Sequence, residues 1–303
     1  MTEVLFLETA QHEAYLQEQE KRRLNVTGVL KILGVSRTGY LSFKNRLPSN
    51  REKRKQSIKE RILNIYNESH QNYGAPKITE QLRKEGEKIS EKTVGNYMRE
   101  LGIKAQYVKP YTVTTTDPDF STELKNILNE EFNPKEPDAV WCSDITYIWT
   151  FNGFVYLTSI MDLYSRKIIA WTLSDTLEAR WVVKTVRKAR ERRRVDKPLV
   201  MHSDRGIQYV CRAYKDAAKG MRLSYSKKAY PWDNACIEAF HALIKREWLN
   251  RFKIIDYSHA YKLVFEYIET FYNTVRIHSH CGYLAPNEYE LNDREAQKYR
   301  LTG

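Results

Sequence analysis

Three consecutive runs rich in β-branched and aromatic residues, AVWCSDITYIWT, FVYLTSIMDLYS and RKIIAWTLSD, constrain this chain more than any other feature. Asn152-Gly153 falls between the first two, and such a dipeptide tolerates the positive backbone angles of a tight hairpin turn. Three antiparallel strands are therefore predicted. Helical periodicity follows over 177–194, then a short apolar strand PLVMHSD, a helix near 213–220, a strand LSYS and a long helix over 235–251.

The order βββαβαβα is that of a ribonuclease H-like α/β fold with a mixed five-stranded sheet. It carries three notable carboxylates: Asp144 within the first strand, Asp204 at the carboxyl end of the fourth and Glu238 on the long helix. Ligands of open α/β sheets collect at the carboxyl ends of strands. An unpaired Asp144 among apolar neighbours is costly to bury, and a metal is the natural compensation. Phosphodiester cleavage puts charge on the attacking, leaving and non-bridging oxygens, which two Mg²⁺ ions roughly 3.5–4 Å apart can neutralise. Hard cations take oxygen ligands. Asp144 is expected to bridge two Mg²⁺ ions, with Asp204 and Glu238 completing one each and Mn²⁺ as an acceptable substitute. His202 shares a strand face with Asp204 and is a supporting candidate, with a packing role as the plain alternative; Asn234, just before the helix, is another. Lys245, two turns after Glu238 on the same helix face, is placed to reach a phosphate. Asp162, Asp175, Asp196, Asp216 and Asp233 read as cap, turn or sheet-supporting residues.

Residues 1–105 read as wholly helical, beginning with one helix over 3–20. In VTGVLKILGVSRTGYLSFKNR, a helix stops at Gly34 and Ser36 caps a second that carries Arg37, Tyr40 and Lys44. ITEQLRKEG likewise ends on Gly86, and Ser90 caps a helix bearing Lys92, Thr93 and Asn96. Both have the layout of a helix-turn-helix, although a helix pair without a DNA role looks the same. Charge tips the balance towards DNA. The chain has 50 Lys and Arg against 38 Asp and Glu, net +12, and residues 1–110 alone hold 21 basic and 13 acidic side chains. Such an excess favours a polyphosphate partner through counterion release, while any single cation is more simply a solvated helix face.

Residues 106–138 read as a linker with one short helix, 139–255 as the catalytic core and 256–303 as a C-terminal helical extension. No apolar run is long enough to cross a bilayer, and the first residues lack a basic leader, so a cytoplasmic location is expected. Cys142, Cys211, Cys236 and Cys281 lie far apart in sequence, which predicts reduced thiols, most of them buried.

The strings HSDRGIQY, WDNACIEAFHALIKRE and YNTVRIHSHCGYLAPNEYE resemble the integrase core of bacterial insertion sequence 3 family transposases, in particular the OrfB-type product. YGAPKITEQLRKEG with SEKTVGNYMRELGIKA resembles that family's helical region, so the likeness runs from about residue 25 to 290. The resemblance implies that Asp144, Asp204 and Glu238 are a catalytic DDE triad, with Lys245 the basic residue that follows it. It implies that Tyr272, Asn273, Arg276, His278, Gly282 and Pro286 form a closing motif of structural or DNA-contacting role. It further implies a double-stranded DNA substrate, a homo-oligomer, an OrfA-type partner and a circular intermediate. The 33 residues between Asp204 and Glu238 are slightly fewer than the family's usual spacing, which predicts a shortened loop within 220–230. End hydrolysis exposing a 3′-hydroxyl, then in-line attack on a second phosphodiester without a covalent protein intermediate, is the expected mechanism. A ribonuclease H-like nuclease without strand transfer and a non-catalytic DNA-binding regulator are the rival functions.

Overall fold

The computed structural model describes residues 2–19, 25–106, 124–227 and 231–302. The chain divides into two compact units, Met1–Arg61 and Ile62–Gly303. In the first, helices α1 (Thr2–Gln19), α2 (Val26–Ile32) and α3 (Arg37–Lys44) are followed by α4 (Asn50–Glu68), which continues into the second unit. Phe6, Leu30 and Tyr40 form the small core of this unit. The turn falls where the sequence predicts, with Gly34 at φ +67° and the Ser36 hydroxyl accepting the Gly39 N–H at 3.3 Å.

The second unit opens with α5 (Ala75–Lys84) and α6 (Glu91–Glu100). Gly86 makes the left-handed turn between them, and Ser90 caps α6 by accepting the Thr93 N–H. No helix occurs in 124–138, and the rest of the expected linker helix lies outside the described residues.

Strands β1 (Val140–Thr150), β2 (Gly153–Asp162) and β3 (Ile168–Ser174) form the predicted antiparallel meander, with Gly153 at φ +110°. After α7 (Ala179–Arg192) come β4 (Val200–Ser203), the short helices α8 (Ile207–Val210) and α9 (Arg212–Ala217), β5 (Arg222–Tyr225) and α10 (Ala235–Glu247). The sheet order is β3-β2-β1-β4-β5, with β1–β4 and β4–β5 parallel. This is the mixed five-stranded ribonuclease H-like arrangement.

Alternation along β1 explains the two layers. Cys142 and Ile148 face a core with Ile237, Phe240 and Ile244 of α10, whereas Trp141 faces one with Val182, Val186 and Ala189 of α7. Helices α11 (Tyr257–Phe265) and α12 (Pro286–Thr302) follow, α11 running into a π-helical stretch, Glu266–Tyr272, that buries Tyr267, Ile268, Phe271 and Tyr272. The Asn273 amide then pairs with the backbone of Ile168 at both ends, 3.0 Å each way, and so fastens the C-terminal extension to β3. No described helix is long and apolar enough to cross a membrane. Cys142 and Cys281 are buried free thiols, and Cys211 and Cys236 are half-buried ones.

Candidate active site

Parallel pairing of β1 with β4 ends at Ser143 opposite Ser203, so Asp144 and Asp204 are the next residue on each chain path. Both are half-buried. Beneath them the buried Tyr209 hydroxyl bonds Ser143 Oγ at 3.0 Å. Burial, and then the charges of Asp204 and Asp144, hold the Tyr209 phenol well above its ordinary range, so both carboxylates act on the one phenol. Asp204 Oδ1 accepts the Gly206 N–H at 3.0 Å. A Cβ at Gly206 would stand 3.1 Å from that oxygen, so the glycine of HSDRG lets the loop close on its aspartate.

The third acid comes from α10. Partial desolvation, and second the negative charge of Asp144, push the Glu238 carboxyl up to about 7. The residue as a whole is exposed, so solvent screening softens both effects. One turn along the helix, His241 Nδ1 lies 3.2 Å from Asp144 Oδ2 and its Nε2 lies 3.3 Å from Ser159 Oγ. A further turn on, the Lys245 ammonium sits 4.4 Å from the centre of the Tyr147 ring. Burial lowers its pKa while the Asp144 charge opposes that shift. The periodicity that singles out Lys245 also points to His241 at the intervening position, where an aromatic side chain on an apolar helix reads as core.

Among the described residues, no group of three or more His, Cys, Asp or Glu side chains stands in metal-holding geometry. The donor chemistry nevertheless suits a hard cation, because Asp144 and Asp204 leave neighbouring strands side by side and the Asp144 charge adds to desolvation in raising the Glu238 carboxyl. Asn234 adds an acceptor. Its Nδ2 donates to Ser143 O at 3.4 Å, while its buried Oδ1 has no hydrogen-bond partner among the described residues.

Several expected site residues lie elsewhere. His202 is fully buried, with Nδ1 2.9 Å from Ser224 Oγ and Nε2 3.2 Å from Ser226 Oγ. Both nitrogens are taken by β5 and its extension, so it supports the sheet and does not reach a metal-bound water. Arg276 is not a DNA-contacting residue. Its Nε and Nη2 donate to the buried Glu247 carboxylate at 2.7 Å each, and its Nη1 donates to His278 Nε2 at 3.0 Å. Asp162, fully buried, accepts the Asp138 and Tyr164 N–H groups, a sheet-supporting role.

The helical candidates divide in the same way. Arg37 and Lys92 are exposed. Lys44 instead pairs with Glu13 at 2.8 Å, the same carboxylate that accepts the Tyr40 hydroxyl, so both belong to the packing of the first unit. Thr93 Oγ1 bonds Ser90 Oγ within the cap, and Asn96 Oδ1 accepts from Arg99. Part of the expected shortened loop, 228–230, lies outside the described residues.

His278 makes the C-terminal extension acid-sensitive. Burial and the adjacent Arg276 cation drive its pKa down to about 2, while an unfolded histidine titrates near 6.5. The folded form therefore binds fewer protons below 6.5, and its stability falls as pH drops through that value, by up to about 1.4 kcal/mol per pH unit. Denaturant titrations from pH 7 to 4 are expected to show this slope, and His278→Gln to flatten it.

Residues 134–231 and 219–286 match two models of the integrase core domain, and residues 53–111 match an HTH-like domain. Transposase InsF for insertion sequence IS3A of Escherichia coli (strain K12) is 31% identical over 277 residues, covering 90% of this chain and 96% of that protein. The transposase for insertion sequence element IS904 of Lactococcus lactis subsp. lactis (strain IL1403) is 32% identical over 248 residues, covering 81% of this chain and 98% of the relative. Among solved structures, the catalytic core domain of BIV integrase gives a TM-score of 0.40 at 17% identity, over 53% of this chain and 99% of that one.

Proposed function

Because the chain belongs to the insertion sequence 3 family of transposases, we propose that its core cuts the ends of an insertion sequence and transfers the exposed strands in a divalent-metal-dependent reaction. The observation that carries this reading is the common end point of β1 and β4, where Asp144 and Asp204 leave paired strands side by side and Asp144 perturbs Glu238 across from them. Asp144, Asp204 and Glu238 are the residues that would hold Mg²⁺ or Mn²⁺. When bound, such ions supply Lewis-acid stabilisation of phosphoryl oxygens and lower the pKa of water.

The chain's own groups do the rest. The His241 ring, held at its far nitrogen by Ser159, fixes one oxygen of Asp144 and so orients the carboxylate. Lys245 lies against Tyr147 near Asp144, where its positive charge offsets that of a phosphate. In the first step a water oxygen bonds to phosphorus and the 3′-oxygen leaves with a proton, giving a 3′-hydroxyl and a 5′-phosphate. In the second, that 3′-oxygen attacks another phosphodiester in line, losing its proton as the displaced 3′-oxygen gains one. The first step consumes one phosphodiester bond, the transfer step conserves their number, and neither needs a protein nucleophile.

Double-stranded DNA, a dimer or higher homo-oligomer that brings two ends together, and an OrfA-type partner complete the reading, with a cytoplasmic, nucleoid-associated location. Within it, residues 1–105 bind DNA, 106–138 link, 139–255 form the core and 256–303 extend it. Arg37, Lys92, Thr93 and Asn96 remain the DNA-facing candidates of the helical region. A labelled duplex carrying the element end is expected to be cut and joined to a target in Mg²⁺, with Asp204→Asn inactive in both steps. Equal activity in that variant would reject the site, and cutting without joining would reduce the protein to a nuclease.

A further inference from the structure

The segment from Arg180 to Arg194 holds eight Lys and Arg and a single acid, Glu191. Five of the eight have partners within the fold, Arg180 among them through Glu178 at 2.9 Å. Arg193 is buried against Glu290 and Asp138, Arg192 pairs with Glu269, Lys188 donates to Trp171 O, and Arg190 donates to Ala217 O and Lys219 O.

Lys184, Arg187 and Arg194 remain, all exposed; Lys184 and Arg187 share one outer stripe of α7 with the exposed Arg180, and Arg194 follows just beyond the helix end. Trp181 lies under two of them, its ring 5.0 Å from the Arg180 guanidinium and 5.2 Å from the Lys184 ammonium. Arg187 and Arg190 also face Lys219 across a groove floored by Val183 and Ala217. Its one acid, Asp216, leans towards Arg212 at 3.9 Å. Like charges at this helical spacing repel, and each such pair destabilises an exposed helix by about 0.2–0.5 kcal/mol. A stripe of this kind calls for a polyanion.

We propose that the outer face of α7 is a second duplex-binding surface, which holds the phosphate backbone of a DNA segment other than the one lying at the catalytic acids. From Arg180 to Arg187 the stripe extends about 10 Å, roughly three phosphate spacings along one strand, and Arg194 follows beyond the helix end. It lies on the α7 side of the sheet, whereas Glu238 and Lys245 ride on α10 across the other face. Bending one short duplex around both faces would cost on the order of 1–6 kcal/mol, so two separate segments are the favoured occupancy. In strand transfer the second segment is the target. This assignment rests on the transposase reading, but the binding surface itself does not need it.

The test is sequential capture by the full-length protein. Protein saturated with an unlabelled end duplex receives a labelled duplex of unrelated sequence, in wild type and in Lys184→Glu/Arg187→Glu/Arg194→Glu. The variant is expected to bind and cut the end duplex as wild type does, while capture and joining of the second duplex fall more than about tenfold. Loss of three phosphate contacts also lowers the slope of log affinity against log salt by about 2.7. The triple Gln variant, with unchanged thermal unfolding, separates charge from misfolding and is expected to fall between the two. Unchanged capture in the Glu variant would overturn the proposal, as would equal loss of end binding or a stripe that is covered by a second protein copy in the end complex. Stripe-dependent capture by a wild-type protein that neither cuts nor joins would sink the catalytic reading and leave this surface standing.

Discussion

Asp144→Asn lowers end cleavage by about a thousandfold, the equivalent of about 4 kcal/mol of lost transition-state stabilisation, while duplex binding and thermal unfolding stay close to wild type. The substitution keeps the size of a half-buried side chain at the end of a well-paired strand segment, so little packing is at stake. What it removes is the carboxylate around which Tyr209, Glu238, His241 and Lys245 are arranged. Single-turnover cleavage and strand-transfer assays on labelled ends, with gel-shift binding as the control, separate loss of chemistry from loss of substrate. Cleavage within a few-fold of wild type would mean that the acid is structural.

Arg276→Met destabilises the second unit by about 3–5 kcal/mol, because it leaves the Glu247 carboxylate buried with its cation removed. The pair is almost wholly out of solvent, at 5% and 4% exposure, and is braced by the Tyr267 hydroxyl, which donates to Glu247 at 2.8 Å. Since α10 ends at Glu247, loss of the pair also loosens the helix that carries Glu238. Chemical denaturation measures the effect. The double variant Glu247→Met/Arg276→Met is expected to recover most of the loss, since two apolar side chains of similar length leave no buried charge. If the single variant unfolds like wild type, the ion pair does not hold the extension to the core.

The sheet was legible because its strands are written in period two: Cys142 and Ile148 against Trp141 can only mean two buried faces, and Asn152-Gly153 can only turn sharply. The caps at Ser36 and Ser90 were legible for a local reason as well, a hydroxyl three residues before the N–H it accepts. Interactions between distant residues were not. Nothing near Lys44 in sequence announces Glu13, and nothing near Arg276 announces Glu247, so both cations read as surface charge until the fold pairs them. His241 was overlooked for the opposite reason, since it is buried like its neighbour Phe240 yet spends both ring nitrogens on Asp144 and Ser159. The π-helical turn at 266–272 and the four-residue α8 carry no local signature, because tertiary packing decides them.

A crystal of the protein soaked in Mn²⁺ and measured at the manganese absorption edge tests the central claim most directly. The account predicts anomalous density between the carboxylates of Asp144 and Asp204, with Glu238 turned towards it, and loss of that density in Asp144→Asn. Manganese bound elsewhere, or its absence from these acids at concentrations that saturate DNA cleavage, would contradict it.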